Sequence, residues 1–78
     1  MNELESLMAF EEDDKWLHEN MERLRTKFVN KFVAVKNKEV IEYGGEIEEL
    51  VKRLETKKEN PGQLVIEFIN TKDFKLLL

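Results

Sequence analysis

The chain has 78 residues, of which 41% are hydrophobic and 38% charged, with one proline, no cysteine and a net charge of −4. That length holds one domain with one modest core, and the lack of cysteine excludes disulfide frameworks, thiolate zinc sites and cysteine nucleophiles. No apolar run approaches the roughly 18 residues of a membrane span, and the first ten residues lack the basic start of a secretory signal, so a soluble cytoplasmic domain is expected.

Residues 2–28 have helical character, in two pieces. Asn2 and Glu5 have capping-box spacing ahead of Leu4, Leu7 and Met8. The acidic run Glu11–Glu12–Asp13–Asp14 interrupts the apolar pattern, and an Asp there is suited to cap a fresh helix. Beyond it, Leu17, Met21, Leu24 and Phe28 fall at i, i+4, i+7 and i+11 and form one stripe. Leu7 lies about 80° off that stripe at ~100° per residue, which predicts a break or bend near residues 10–14. Lys31–Lys36 and Glu39–Tyr43 read as a hairpin closed by Asn37–Lys38. Counting outward pairs Lys36 with Glu39, Val35 with Val40, Ala34 with Ile41, Val33 with Glu42 and Phe32 with Tyr43. Lys38 is the weak point of this turn, because a primed turn needs φ > 0 there and glycine is the natural choice. Gly44–Gly45 ends the second strand. Ile47, Leu50, Val51 and Leu54 then mark an amphipathic helix that Asn60–Pro61–Gly62 stops. Leu64–Ile69 is a third strand, and the chain closes on three leucines.

This order predicts an α+β domain: an α-β-β-α-β two-layer sandwich with a three-stranded mixed sheet of order 2-1-3 and two helices. Strand one lies antiparallel between strands two and three, which run parallel to each other. Residues 1–12 form an N-terminal helical arm, residues 13–70 the single α+β domain and residues 71–78 an apolar tail. Alternation puts Phe32, Ala34, Ile41, Tyr43, Leu64, Ile66 and Phe68 on one sheet face. The other face carries Val33, Val35, Val40, Val65 and Ile69, diluted by Glu42 and Glu67. A two-layer fold covers one face only, and a bare aliphatic patch of that size is uncommon on a soluble monomer. The cover is the first helix, the leucine tail or a second subunit.

Charge is segregated. Residues 1–22 hold eight acids and one base, whereas residues 23–38 hold six bases and no acid. Helix-dipole complementarity accounts for this acidic-to-basic polarity as well as a ligand does. His18, the only histidine, has no Ser, Cys or second His positioned beside it by the sequence. The acids Glu11–Asp14 lack the alternation and central glycine of a calcium loop. Gly44–Gly45 is followed by glutamates that repel an anion, so a phosphate-loop reading fails. No catalytic residue, cofactor or metal ligand is therefore assigned.

The string Phe32-Val33-Ala34-Val35-Lys36, then Glu39-Val40-Ile41, a glycine and Ile47-Glu48-Glu49-Leu50, resembles a family of very small prokaryotic, largely archaeal, proteins grouped as a domain of unknown function. The closing Asn60-Pro61 and Leu64-Val65-Ile66-Glu67-Phe68 carry the same likeness, which extends over residues 13–69 and includes Trp16-Leu17. The resemblance implies a glycine-containing turn where this chain has Asn37–Lys38, and it implies no catalytic residues.

The function expected on these grounds is non-enzymatic: self-association, a dimer being favoured, or binding of a protein partner. The interface residues are Val33, Val35, Val40, Val65, Ile69, Phe74, Leu76, Leu77 and Leu78. The alternative is nucleic-acid binding or regulation through Arg23, Arg25, Lys27, Lys31, Lys36 and Lys38, with Trp16 and Tyr43 as stacking platforms. A pI near 5.0 counts against it. No membrane and no small-molecule substrate is inferred.

Overall fold

A computed structural model describes residues 3–71. Its elements are α1 (Glu3–Glu19), α2 (Met21–Phe28), β1 (Phe32–Val35), β2 (Val40–Gly44), α3 (Ile47–Thr56), a short 3₁₀ turn (Pro61–Gln63) and β3 (Val65–Phe68). The strand order is β2-β1-β3, as expected. Both pairings are antiparallel, with β2 and β3 running the same way on either side of β1, as expected; since no parallel pair is adjacent, the sheet is an antiparallel one and not a mixed one.

The predicted stripe is the spine of the core. Leu17, Leu24 and Phe28 are buried and Met21 packs beside them. The helix does not break at residues 10–14, however. It runs on through them and breaks at Asn20, whose side-chain amide and main-chain N–H both donate to the Trp16 carbonyl, at 2.8 and 3.0 Å. The acidic run therefore lies inside a helix, and Leu7, off the stripe, faces solvent. The predicted cap at Asn2 lies outside the described residues.

The layering also differs from expectation. Leu17, Leu24 and Phe28 pack on Val33, Val35, Val65 and Ile69, so α1 and α2 cover the aliphatic face. On the opposite face Leu50 and Leu54 of α3 pack on Ala34, with Phe32, Ile41, Leu64 and Ile66 around them. The fold is thus three layers, α1–α2 over the sheet over α3. Each fully buried aliphatic side chain contributes about 1.5–3 kcal/mol. Burial of both sheet faces by the chain's own helices is what lets so short a sequence close a core.

The hairpin keeps its predicted pairs only beside the turn. Lys36 and Glu39 exchange main-chain hydrogen bonds of 2.9 and 3.2 Å, and Val35 pairs with Val40. A bulge at Ile41 then shifts the register, so that Ala34 faces Glu42, Val33 faces Tyr43 and Phe32 faces Gly44. One extra residue exchanges the two faces of everything after it. Tyr43, expected on the face of Phe32, Ala34 and Ile41, instead meets Phe28 of α2 in a tilted ring pair with centroids 5.2 Å apart. Glu42, expected on the aliphatic face, meets Lys57 at 3.0 Å and Arg53 at 3.8 Å below α3. The Lys57 bond holds the Glu42 carboxyl below the usual carboxylate range, aided by the Tyr43 N–H and the Arg53 charge and opposed by partial burial.

Both central residues of the turn have positive φ, 53° at Asn37 and 59° at Lys38. This is the backbone of a type I′ turn built without glycine. Its stabiliser comes from α1. The buried Asp13 carboxylate accepts from the Lys38 N–H at 2.9 Å and from the Asn37 N–H at 3.3 Å. Lysine is also in the left-handed region at Lys58, φ 62°, where α3 ends. There Lys58 N–H bonds to the Glu55 carbonyl and Glu59 N–H to the Leu54 carbonyl, the paired bonds of a Schellman stop. The helix thus ends before Asn60–Pro61–Gly62, and those residues form the 3₁₀ turn leading into β3.

Replacing Asp13 by alanine strips the charged acceptor from two turn N–H groups, and about 1.5–3 kcal/mol of stability is expected to be lost in urea denaturation. Lys38→Gly relieves a left-handed strain of about 1–2 kcal/mol and is expected to offset part of that loss in the double variant. An unchanged midpoint in Asp13→Ala would remove the turn-holding role. Because folding lowers the Glu42 pKa, its stabilisation is present above its unfolded value and lost as pH falls through the folded one. The stability gap between the wild type and Glu42→Gln is therefore expected to be open at neutral pH and to close as pH falls below the ordinary glutamate range.

Candidate functional site

With both sheet faces occupied, Val33, Val35, Val65 and Ile69 belong to the core and Val40 packs half-buried against it. They are not an exposed interface, because the first helix supplies the cover. Phe74, Leu76, Leu77 and Leu78 lie outside the described residues. The outer edge of β2 is closed as well. Arg53 Nη1 donates to the Tyr43 carbonyl at 2.7 Å and Lys57 Nζ to the Ile41 carbonyl at 2.9 Å. Together with the bulge, these cations blunt the strand against pairing with another chain.

Exposed apolar surface is found instead on α1. A 17-residue helix is about 25 Å long, whereas the four-residue strand beneath it spans about 13 Å. The start of α1 overhangs the sheet. Leu4, Leu7 and Met8, at i, i+3 and i+4, are 65, 56 and 52% exposed. The arm that carries them, residues 1–12, has four glutamates and no base.

The basic segment is divided by the fold. Arg25 Nε donates to the Asn70 carbonyl at 3.0 Å, and Lys36 pairs with Glu59 at 2.9 Å. The other four line two adjoining grooves. Arg23, Lys27 and Lys38 surround a groove of about 450 Å³ floored by Trp16, Leu24, Phe28 and Val40. Lys27 and Lys31, joined by Lys57, line a second of about 540 Å³ against Phe28, Val40, Ile41 and Tyr43. Lys27, Phe28 and Val40 are common to both, so the grooves form one surface across α2 and β2. Arg23 lies over the Trp16 ring at 5.8 Å and Lys27 over Phe28 at 5.7 Å. The result is an apolar floor with a predominantly cationic rim, into which Glu39 and Glu42 also reach. Lys57 lies outside the predicted basic segment; it reaches this groove because α3 ends beside β2, and there it is paired with Glu42.

A third cluster joins α1 to β3. Asp14 and His18, one helical turn apart, meet Glu67, and the three contribute ligand-type atoms all within 4.8 Å of one another. His18 Nδ1 lies 2.8 Å from the Asp14 main-chain carbonyl and 3.7 Å from its carboxylate. The sequence alone isolated His18 and treated Asp14 as part of a capping run, because the third member lies 49 positions away. The available signal was an acid, Glu67, on an otherwise aliphatic face.

Residues 23–72 match the Family of unknown function (DUF5678). No curated protein and no solved structure matches the chain. The family match takes in α2, the hairpin, α3 and β3, whereas α1, with Asp13 and Leu17, precedes it. With more than half of its residues matched, the chain belongs to the DUF5678 family.

Proposed function

We propose that the protein is a non-enzymatic self-association module in which the α1 arm of one copy lies in the basic-rimmed groove of a second. The observation that carries this reading is the pairing of opposites on one chain. Leu4, Leu7 and Met8 form an exposed apolar stripe on an arm without cations, and Arg23, Lys27, Lys31 and Lys38 rim an apolar groove. An amphipathic helix docks in a hydrophobic groove through anchors at i, i+3 and i+4, and complementary charge orients it. Two-fold symmetry lets each copy give its arm and receive its partner's, which closes the assembly as a dimer. The same segregation of charge disfavours pairing arm to arm, since that brings glutamates together.

A second reading, single-stranded nucleic acid in the groove, is favoured by Trp16 standing among Arg23, Lys27 and Lys38. It is the weaker one. Arg23 already occupies a face of Trp16, and Arg25 and Lys36 are engaged elsewhere.

Sedimentation velocity at low and high micromolar concentration is expected to show a monomer–dimer equilibrium that weakens with added salt. Leu7→Glu and Lys27→Glu are each expected to shift it to monomer while leaving the unfolding midpoint nearly unchanged, since both side chains are exposed. A chain that stays monomeric at every concentration would overturn the proposal. So would a dimer that survives both substitutions and is lost only on deletion of residues 72–78. Salt-sensitive retention of an oligonucleotide, abolished by Lys27→Glu in a monomeric chain, would favour the second reading instead.

A further inference from the structure

Two acids interrupt the predicted aliphatic face of the sheet, and their fates differ. The bulge turns Glu42 toward Lys57 and Arg53, which neutralise it. Glu67 stays on the α1 side between Val65 and Ile69, half-buried. Among the described residues, no hydrogen bond or ion pair engages its carboxylate. Its near neighbours are Asp14 and His18. Two carboxylates held this close repel each other unless a cation or a proton comes between them, and no lysine or arginine is paired with either.

We propose that Asp14, His18 and Glu67 form a binding site for a first-row divalent cation, with Zn²⁺ the best fit, which staples α1 to β3. One imidazole nitrogen and two carboxylate oxygens within 4.8 Å of one another are a compact three-ligand set. Imidazole selects zinc, copper, iron or nickel over calcium and magnesium, whose sites are built from oxygen. The ring is already oriented. Its Nδ1 lies 2.8 Å from the Asp14 main-chain carbonyl, and a hydrogen bond of that kind orients ligating histidines. His18 and Asp14 are 57 and 45% exposed, so a bound ion has a path from solvent and retains water in its remaining positions. The ligands come from two elements that meet only in the folded chain, so the ion binds the native state selectively and stabilises it. This site is on the α1–β3 side, away from the α2–β2 groove, and does not depend on how copies associate.

The test titrates the full metal-free chain with Zn²⁺ by calorimetry and follows thermal unfolding in parallel, with Mg²⁺ as the control ion. Saturable binding of one Zn²⁺ per chain is expected, with an unfolding midpoint that climbs as free Zn²⁺ rises and does not respond to Mg²⁺. His18→Ala and Glu67→Gln are each expected to weaken binding by about tenfold to a hundredfold or more. Glu67→Gln also removes like-charge repulsion and keeps the metal-free fold at least as stable, so loss of binding there is not loss of structure. No saturable binding, binding unchanged in both variants, or equal response to Mg²⁺ would each overturn the assignment.

Discussion

The Asp13 carboxylate and the two turn N–H groups it receives connect the helical layer to the hairpin. Asn37 and Lys38 both adopt left-handed backbone, which lysine in particular resists. The turn persists because a buried anion from α1 accepts both of its exposed donors. The same contact sets the height of α1 over the sheet. With Asp13 at the hairpin end, Leu17 one turn further along falls over the valines, and the preceding residues have no sheet beneath them. Turn geometry, cover of the aliphatic face and overhang of the arm are thus consequences of one placement.

α1 lies outside the part of the chain that matches the family, yet it supplies both Leu17 and Asp13. The turn makes physical sense of this coupling. A glycine adopts positive φ without help, whereas Asn37–Lys38 requires an external acceptor. In this chain the helix and the turn are therefore coupled through Asp13.

The Ile41 bulge has the second largest effect. By exchanging faces it delivers Glu42 to the cations of α3 and Tyr43 to Phe28 of α2. It also leaves the β2 carbonyls where Arg53 and Lys57 reach them. The β2 edge is thereby protected against pairing with another strand.

Strand order, the stripe Leu17–Met21–Leu24–Phe28, the amphipathic α3 and the pairing of Val35 with Val40 were all legible in the sequence. Each depends on periodicity or turn chemistry among near neighbours, which a linear chain displays. The aliphatic reverse face was legible too, but not what covers it. That choice belongs to the tertiary structure, because the Leu17–Phe28 stripe and the stripe of α3 are both apolar and either sheet face accepts one. The bulge escaped for a related reason, since a single inserted residue leaves hydrophobic composition unchanged while reversing every later side chain. Asp13 on the turn and Glu67 beside His18 join residues about 25 and 49 positions apart, respectively. Such contacts arise only when the layers close, so the sequence determined the elements and their faces, and packing decided which acids became structural or ligand-like.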